Sequence, residues 1–244
     1  MEVRNVVLLL SLICSAQAHI QSPESKSRAV QSPSIQSLMS KDRVVKGGFV
    51  GDRACLPCHQ DKVETYYKTA HHLTSQVADE NSVAGTFDEG TNILRTSNPN
   101  LFFRMDANEK GFFETAVWGK PPHTWSRTER LDLSIGSGRK GQSYLFWDDD
   151  QLFQLPVGYS TVLGQWVNNP GYRDGTANFE RPIIPRCLEC HATYFKALEP
   201  LPSNNRYDRA DFALGISCER CHGPGREHVV RYGSAARGFG TRHC

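Results

Sequence analysis

No apolar run in this chain reaches the roughly 20 residues that a membrane-spanning helix needs. The longest lies at the N-terminus, from Val6 to Cys14. Charge of one sign is also missing: 28 Lys and Arg stand against 26 Asp and Glu, for a net +2. That balance points to neither a nucleic-acid groove nor a membrane-surface patch. The glycine-rich stretch IGSGRKGQSYL, Ile135 to Leu145, lacks the G-x-G-x-x-G pattern and any following helix, so it reads as a tight loop entering a strand, not a nucleotide cradle. Nothing offers an activated nucleophile, a paired-carboxylate site or a phosphate-binding loop. Cysteine is absent between Cys58 and Cys187, although the chain has eight.

Six of those eight fall in one pattern. CLPCH at Cys55 to His59, CLECH at Cys187 to His191 and CERCH at Cys218 to His222 are three copies of C-x-x-C-H. From the chain's own composition, chance expects on the order of 0.01 copies. In an exported protein an even set of cysteines suggests disulfides, but disulfides do not explain a histidine after every pair. Two thiols at this spacing can add across the two vinyl groups of one haem, and the next residue then places an imidazole under the iron. A zinc ribbon built from Cys187/Cys190 and Cys218/Cys221 has suitable spacing, yet it leaves Cys55/Cys58 without partners and three histidines idle. The reading is therefore three covalently attached c-type haems with their iron, and no zinc, with His59, His191 and His222 as proximal ligands.

A second axial ligand for each iron must come from His19, His71, His72, His123, His228 or His243, with Met39 and Met105 as weaker candidates. QDKVETYYKTAHH follows the first motif without Gly or Pro, which predicts one helix from His59 to His71. Twelve residues at 1.5 Å each carry His71 roughly 18 Å from His59, so His71 is expected to serve a neighbouring haem; a break before Thr69 is the alternative. His228 lies past the Gly223-Pro224-Gly225 turn, too tightly bent to return easily to its own haem, and is expected to reach across as well, a surface or propionate-contacting histidine being the alternative. His123, in KPPHTW, is the third candidate, a solvent-exposed loop histidine being the bland reading. His72 points away from His71 on such a helix and reads as a hydrogen-bonding or solvated residue.

The first eighteen residues, MEVRNVVLLLSLICSAQA, read as a secretory signal peptide, with Ala16-Gln17-Ala18 as a small-x-small cleavage site. Residues 19 to 47 are Ser-, Gln- and charge-rich without periodicity and read as a disordered linker. The domain is placed at 48–244. Between the first two motifs, LFFRMDANEKGFFETAV and QSYLFWDDDQLFQLPV alternate apolar and polar residues around turns and predict two hairpins. Arg181, Arg186, Arg220 and Arg226 flank the second and third motifs and suit haem propionates; solvated surface charge is the alternative for any one of them.

GDRACLPCHQDKVETYYKTAHH, IGSGRKGQSYLF with FQLPVGYS, and PRCLECHATYF followed by ISCERCHGPGREH together resemble the multihaem cytochrome c-552/c-554 family, in its exported bacterial form, from about Gly51 to Val229. The CHGPGxxH extension and the Y-x-x-T-A-H spacing carry most of that resemblance. It implies that His71 and His228 are distal ligands. Such proteins usually continue to a further C-x-x-C-H, so Cys244 reads either as the first cysteine of a fourth site in a longer protein or as a free terminal thiol.

The expectation is thus a mostly irregular multihaem cytochrome c fold, with short α-helices near the haem sites and β-hairpins between the first and second. Without haem such a domain is expected to be largely unfolded. The function expected is electron transfer in the periplasm or outside the cell, with redox proteins as partners, no nucleic acid, and no membrane association beyond export. The resemblance also admits a reductase of small nitrogen compounds working at an open-coordinate haem. All three motifs keep histidine where catalytic relatives often carry lysine, so the carrier reading is favoured.

Overall fold

Between Ser75 and Leu214 one short strand follows another, because alternating apolar residues recur there at two-residue spacing. The computed structural model describes residues 48–236, with side chains as far as 232. The expected signal peptide and linker, His19, Met39, His243 and Cys244 lie outside the described residues. The strands are β1 (Ser75–Val77), β2 (Ile93–Arg95), β3 (Leu101–Asn108), β4 (Gly111–Lys120), β5 (His123–Arg130), β6 (Leu133–Ile135) and β7 (Ser143–Asp148). There follow β8 (Gln151–Gln154), β9 (Val157–Ser160), β10 (Gln165–Asn168), β11 (Arg181–Pro182), β12 (Ala192–Ala197) and β13 (Tyr207–Leu214). They form a four-stranded sheet β2-β3-β4-β5, a five-stranded sheet β1-β6-β7-β8-β11, and the pairs β9/β10 and β12/β13.

The β3–β4 pair turns between Asn108 and Gly111, and the β7–β8 pair between Asp148 and Gln151. More of the chain is regular strand than the mostly irregular fold expected from sequence. The reason lies in β7, which is buried on both faces. Tyr144 and Phe146 point into one cluster with Leu101, Phe103 and Met105 of β3, Leu155, Val157, Trp166 and Phe179. Leu145 points into a second cluster with Leu133, Leu152, Ile183, Leu188, Ala192 and Tyr207. Each such side chain contributes about 1.5–3 kcal/mol on burial. The first cluster contains no residue of any C-x-x-C-H motif. The second contains Leu188, the first spacer residue of the second motif, and so anchors that motif to the sheets.

Helices are confined to the flanks. A 3₁₀ turn, Asp52–Cys55, runs into α1 (Leu56–Tyr66); α2 (Pro185–His191), α3 (Cys218–His222) and α4 (Arg226–Ala236) follow. The single helix expected from His59 to His71 does not form. α1 bends at His59, whose φ and ψ are −125° and 39°, and ends at Tyr66. Beyond it the Thr69 hydroxyl donates to the Tyr66 carbonyl (2.7 Å) and accepts from the His72 amide (3.3 Å), competing with helical bonds as Thr side chains do. Tyr66 and Tyr67 pack on the His72 ring at 5.7 and 4.6 Å and hold the turn closed. None of the helices among the described residues is long and apolar enough to cross a membrane.

Candidate functional site

The three motifs, scattered along the sequence, meet in space. The third is one helical turn, α3, with Ser217 as N-cap accepting from the Glu219 amide at 3.2 Å, and Gly223 closing it at φ 83°, where a side chain would be strained. Asp52, just ahead of the first motif, accepts the Cys218 amide at 2.8 Å through Oδ1, and its Oδ2 lies 3.5 Å from His72 Nδ1. Burial works to raise the Asp52 carboxyl, but hydrogen bonds from His72 and Cys218 outweigh it and hold the group below its ordinary value. Glu219, a spacer residue of the third motif, is 4% exposed. Its Oε1 accepts the Val50 amide (2.8 Å) and the Gly225 amide (2.7 Å), and its Oε2 accepts that of Gly51 (2.7 Å).

These bonds bring α1 against α4. The ring centroids of His59 and His228 lie 6.3 Å apart, with planes inclined by 28°. A metal–imidazole bond is about 2 Å and the nitrogen sits roughly 1 Å from the ring centre, so two imidazoles on opposite sides of one metal have centroids about 6 Å apart. The 6.3 Å separation matches that spacing, so the pair would suit one iron with a nitrogen of each ring turned toward it. His228 thus stands opposite the first motif's histidine and not that of its own motif.

The second motif is held from the other side. His191 closes α2 and leads directly into β12, which pairs antiparallel with β13, the strand that leads into the third motif. Thr193 Oγ1 donates to the Gly215 carbonyl and accepts the Ser217 amide, both at 2.7 Å. Arg220 Nη2 of the third motif donates to the Glu189 carbonyl of the second at 3.0 Å. The His191 Nδ1 lies 3.2 Å from Thr74 Oγ1. Burial pushes this imidazole below its ordinary pKa, the Thr74 contact opposing, which favours the neutral ring a metal requires. Cys187 and His191 line a cavity of about 510 Å³ whose other walls include Ile135, Leu145, Val167, Ile183 and Leu188, with Lys140 also lining it. Its size and apolar lining suit a flat cofactor partly sunk in protein.

The thiols of Cys55, Cys187, Cys190, Cys218 and Cys221 are free. Cys58 is disulfide-bonded. Burial raises the Cys55 thiol, the nearby Asp52 and Glu219 adding to it, and burial with the Asp52 hydrogen bond pushes Cys218 up to about 12. Both stay protonated at neutral pH.

His71 sits beside the third motif: its carbonyl accepts the Ile216 amide at 3.0 Å. Its ring, like that of His222, is exposed. His123 opens β5, exposed, beside the cis Pro121–Pro122 bond and opposite Lys120; no hydrogen bond or ring contact among the described residues ties it to a motif. Of the arginines expected at propionates, Arg181 donates to the Pro170 carbonyl (2.6 Å), Arg186 pairs with Glu189 (2.7 Å), and Arg220 bonds the Glu189 carbonyl. Sequence reasoning missed Asp52, Thr74 and Glu219. Nothing in the pattern around Asp52 or Thr74 marks them, whereas Glu219 occupies a motif spacer, where an acidic residue next to Arg220 reads as ordinary surface charge.

Residues 172–223 match the family model described as cytochrome c554 and c-prime. The matched stretch holds the second and third motifs and the β12–β13 hairpin between them. It supports a c-type cytochrome family and, with it, covalently bound haem c and its iron. No curated protein and no solved structure matches the chain.

Proposed function

We propose that this chain is an exported or periplasmic electron-transfer protein carrying three covalent c-type haems, at Cys55/Cys58/His59, Cys187/Cys190/His191 and Cys218/Cys221/His222, within a multihaem cytochrome c fold. The observation that carries the reading is the convergence of three C-x-x-C-H motifs through Asp52–Cys218, Val50 and Gly51–Glu219, and Arg220–Glu189. Bound haem supplies a one-electron iron couple. The residues attach, orient and insulate it. The six cysteines would hold the groups covalently, each S–H adding across one vinyl double bond with its hydrogen passing to the adjacent carbon. Cys58 would first need its disulfide opened by a dithiol reductant from outside the chain, which is oxidised to its own disulfide as Cys58 gains its S–H. His59 and His228 would hold one iron between them, and two protein imidazoles on it would leave no place for substrate. His71, beside the third motif, would hold the iron of a neighbouring haem. The motifs' mutual contacts hold three carriers within electron-hopping reach, which a carrier docking with redox protein partners needs.

Matured with haem-attachment machinery, the protein should show three haem additions by mass, none extractable by acid solvent, and low-spin ferric spectra. Pigment released from the denatured chain would refute covalent attachment. His228→Ala should keep all three haems while the iron held by His59 begins to bind carbon monoxide; an effect confined to the His222 iron would refute the assigned pair.

A further inference from the structure

Two helices that present imidazoles to one iron start at points far apart in sequence, and one side chain touches both starts. Val50 and Gly51 lead into the turn and helix that carry His59; Gly225 immediately precedes α4, which carries His228. The amides of all three end on the buried carboxylate of Glu219, at 2.7 to 2.8 Å. We propose that Glu219 is the positioning residue for the His59–His228 pair, acting as a brace that fixes the two helix origins relative to each other and to the third motif. The proposal rests on the haem reading above.

The argument is geometric. Helix starts leave unpaired amides, and here three are taken by one acceptor whose own backbone is fixed: the Ser217 cap holds the Glu219 amide and the Gly223 amide closes back on the Glu219 carbonyl at 2.9 Å. Neighbouring contacts point the same way. The Arg226 amide donates to the Gly48 carbonyl (3.1 Å), and Phe49 stacks on Tyr194 of β12 at 5.2 Å, so residues 48–51 are pressed onto the turn that precedes His228. A ligand pair is productive only when held within about 0.5 Å, by groups beyond the ligands themselves. Without the carboxylate the origins of α1 and α4 lose their shared anchor, and the 6.3 Å ring separation loses its main determinant.

The test uses the haem-loaded protein. Glu219→Ala should retain three covalent haems, since no thioether involves this residue, yet bind one more carbon monoxide per ferrous molecule than the parent. That extra equivalent should disappear when Cys55 and Cys58 are also changed to Ala, which removes the first haem. Glu219→Gln keeps an oxygen for part of the amide set and should restore six-coordination, with altered g-values for one low-spin signal. Hydrogen exchange at Val50, Gly51 and Gly225 should speed up in Glu219→Ala. Unchanged carbon monoxide stoichiometry, or an extra equivalent that survives loss of the first haem, overturns the proposal. Should Glu219→Ala not mature, electron paramagnetic spectra of Glu219→Gln identical to the parent overturn it. A parent without covalent pigment overturns the haem reading as well, so the two failures are distinct.

Discussion

Thr74 and His191 stand 117 residues apart in sequence and 3.2 Å apart in space. If His191 holds iron through Nε2, as proposed, its Nδ1 would carry the proton and donate to the Thr74 hydroxyl; such a partner fixes ring orientation and raises ligand basicity. Thr74→Val should raise the potential of the second haem, by a fraction of the about 59 mV that a tenfold change in relative affinity represents for one electron. Redox titration checks this, and an unchanged potential would show that the hydroxyl is a bystander. A different residue governs response to pH. Glu114 is fully buried, its Oε2 has no partner, and burial pushes its carboxyl well above the ordinary range despite the Val157 amide. The folded state then holds a proton that the unfolded state releases above about pH 4. Its contribution is full below that pH and falls by about 1.4 kcal/mol per unit as pH rises, until the folded value is passed. Glu114→Gln should abolish this fall, so its melting temperature relative to the parent should climb between pH 4 and 7.

Among the elements, β7 and α1 show what a sequence pattern can and cannot carry. The hairpins β3–β4 and β7–β8 were legible because apolar alternation brackets turn residues. The double burial of β7 was not, since SYLFWD reads as a strand but does not say that Tyr144 and Leu145 face separate cores. The end of α1 was illegible for another reason: no Gly or Pro stands there, and the stop comes from the Thr69 hydroxyl and the packing of His72 between tyrosines. α2 yields a prediction. Leu188 ties its motif to the second core, and Leu188→Ala should cost about 2–3 kcal/mol, the low end for a buried leucine. Thermal unfolding would measure that loss, and the second haem's spectrum should change more than the first's.

For the whole molecule, the three C-x-x-C-H motifs announced a haem protein on sight, while the contacts that gather them join residues up to 169 positions apart and leave no local trace. The same distribution bears on the expectation that the chain is largely unfolded without haem. The first hydrophobic cluster is built from β3, β4, β7, β9 and β10 and takes nothing from the motifs. A variant with all six motif cysteines changed to Ala should therefore keep a cooperative β transition by circular dichroism, while amides in 48–74 and 217–232 exchange rapidly. Random-coil spectra throughout would show that the sheets need the cofactor.

The brace at Glu219 also has a history in time. Glu219 follows Val50 by 169 residues, so at about 5–20 residues per second it is synthesised about 10 to 30 seconds after the segment it will hold. Cys55, Cys58 and His59 thus leave the ribosome well before the carboxylate that fixes their helix and the imidazole that faces His59. Until Glu219 has been made, the amides of Val50 and Gly51 lack the acceptor they have in the folded chain. The first motif's final geometry therefore waits on the C-terminal segment that carries Glu219 and His228.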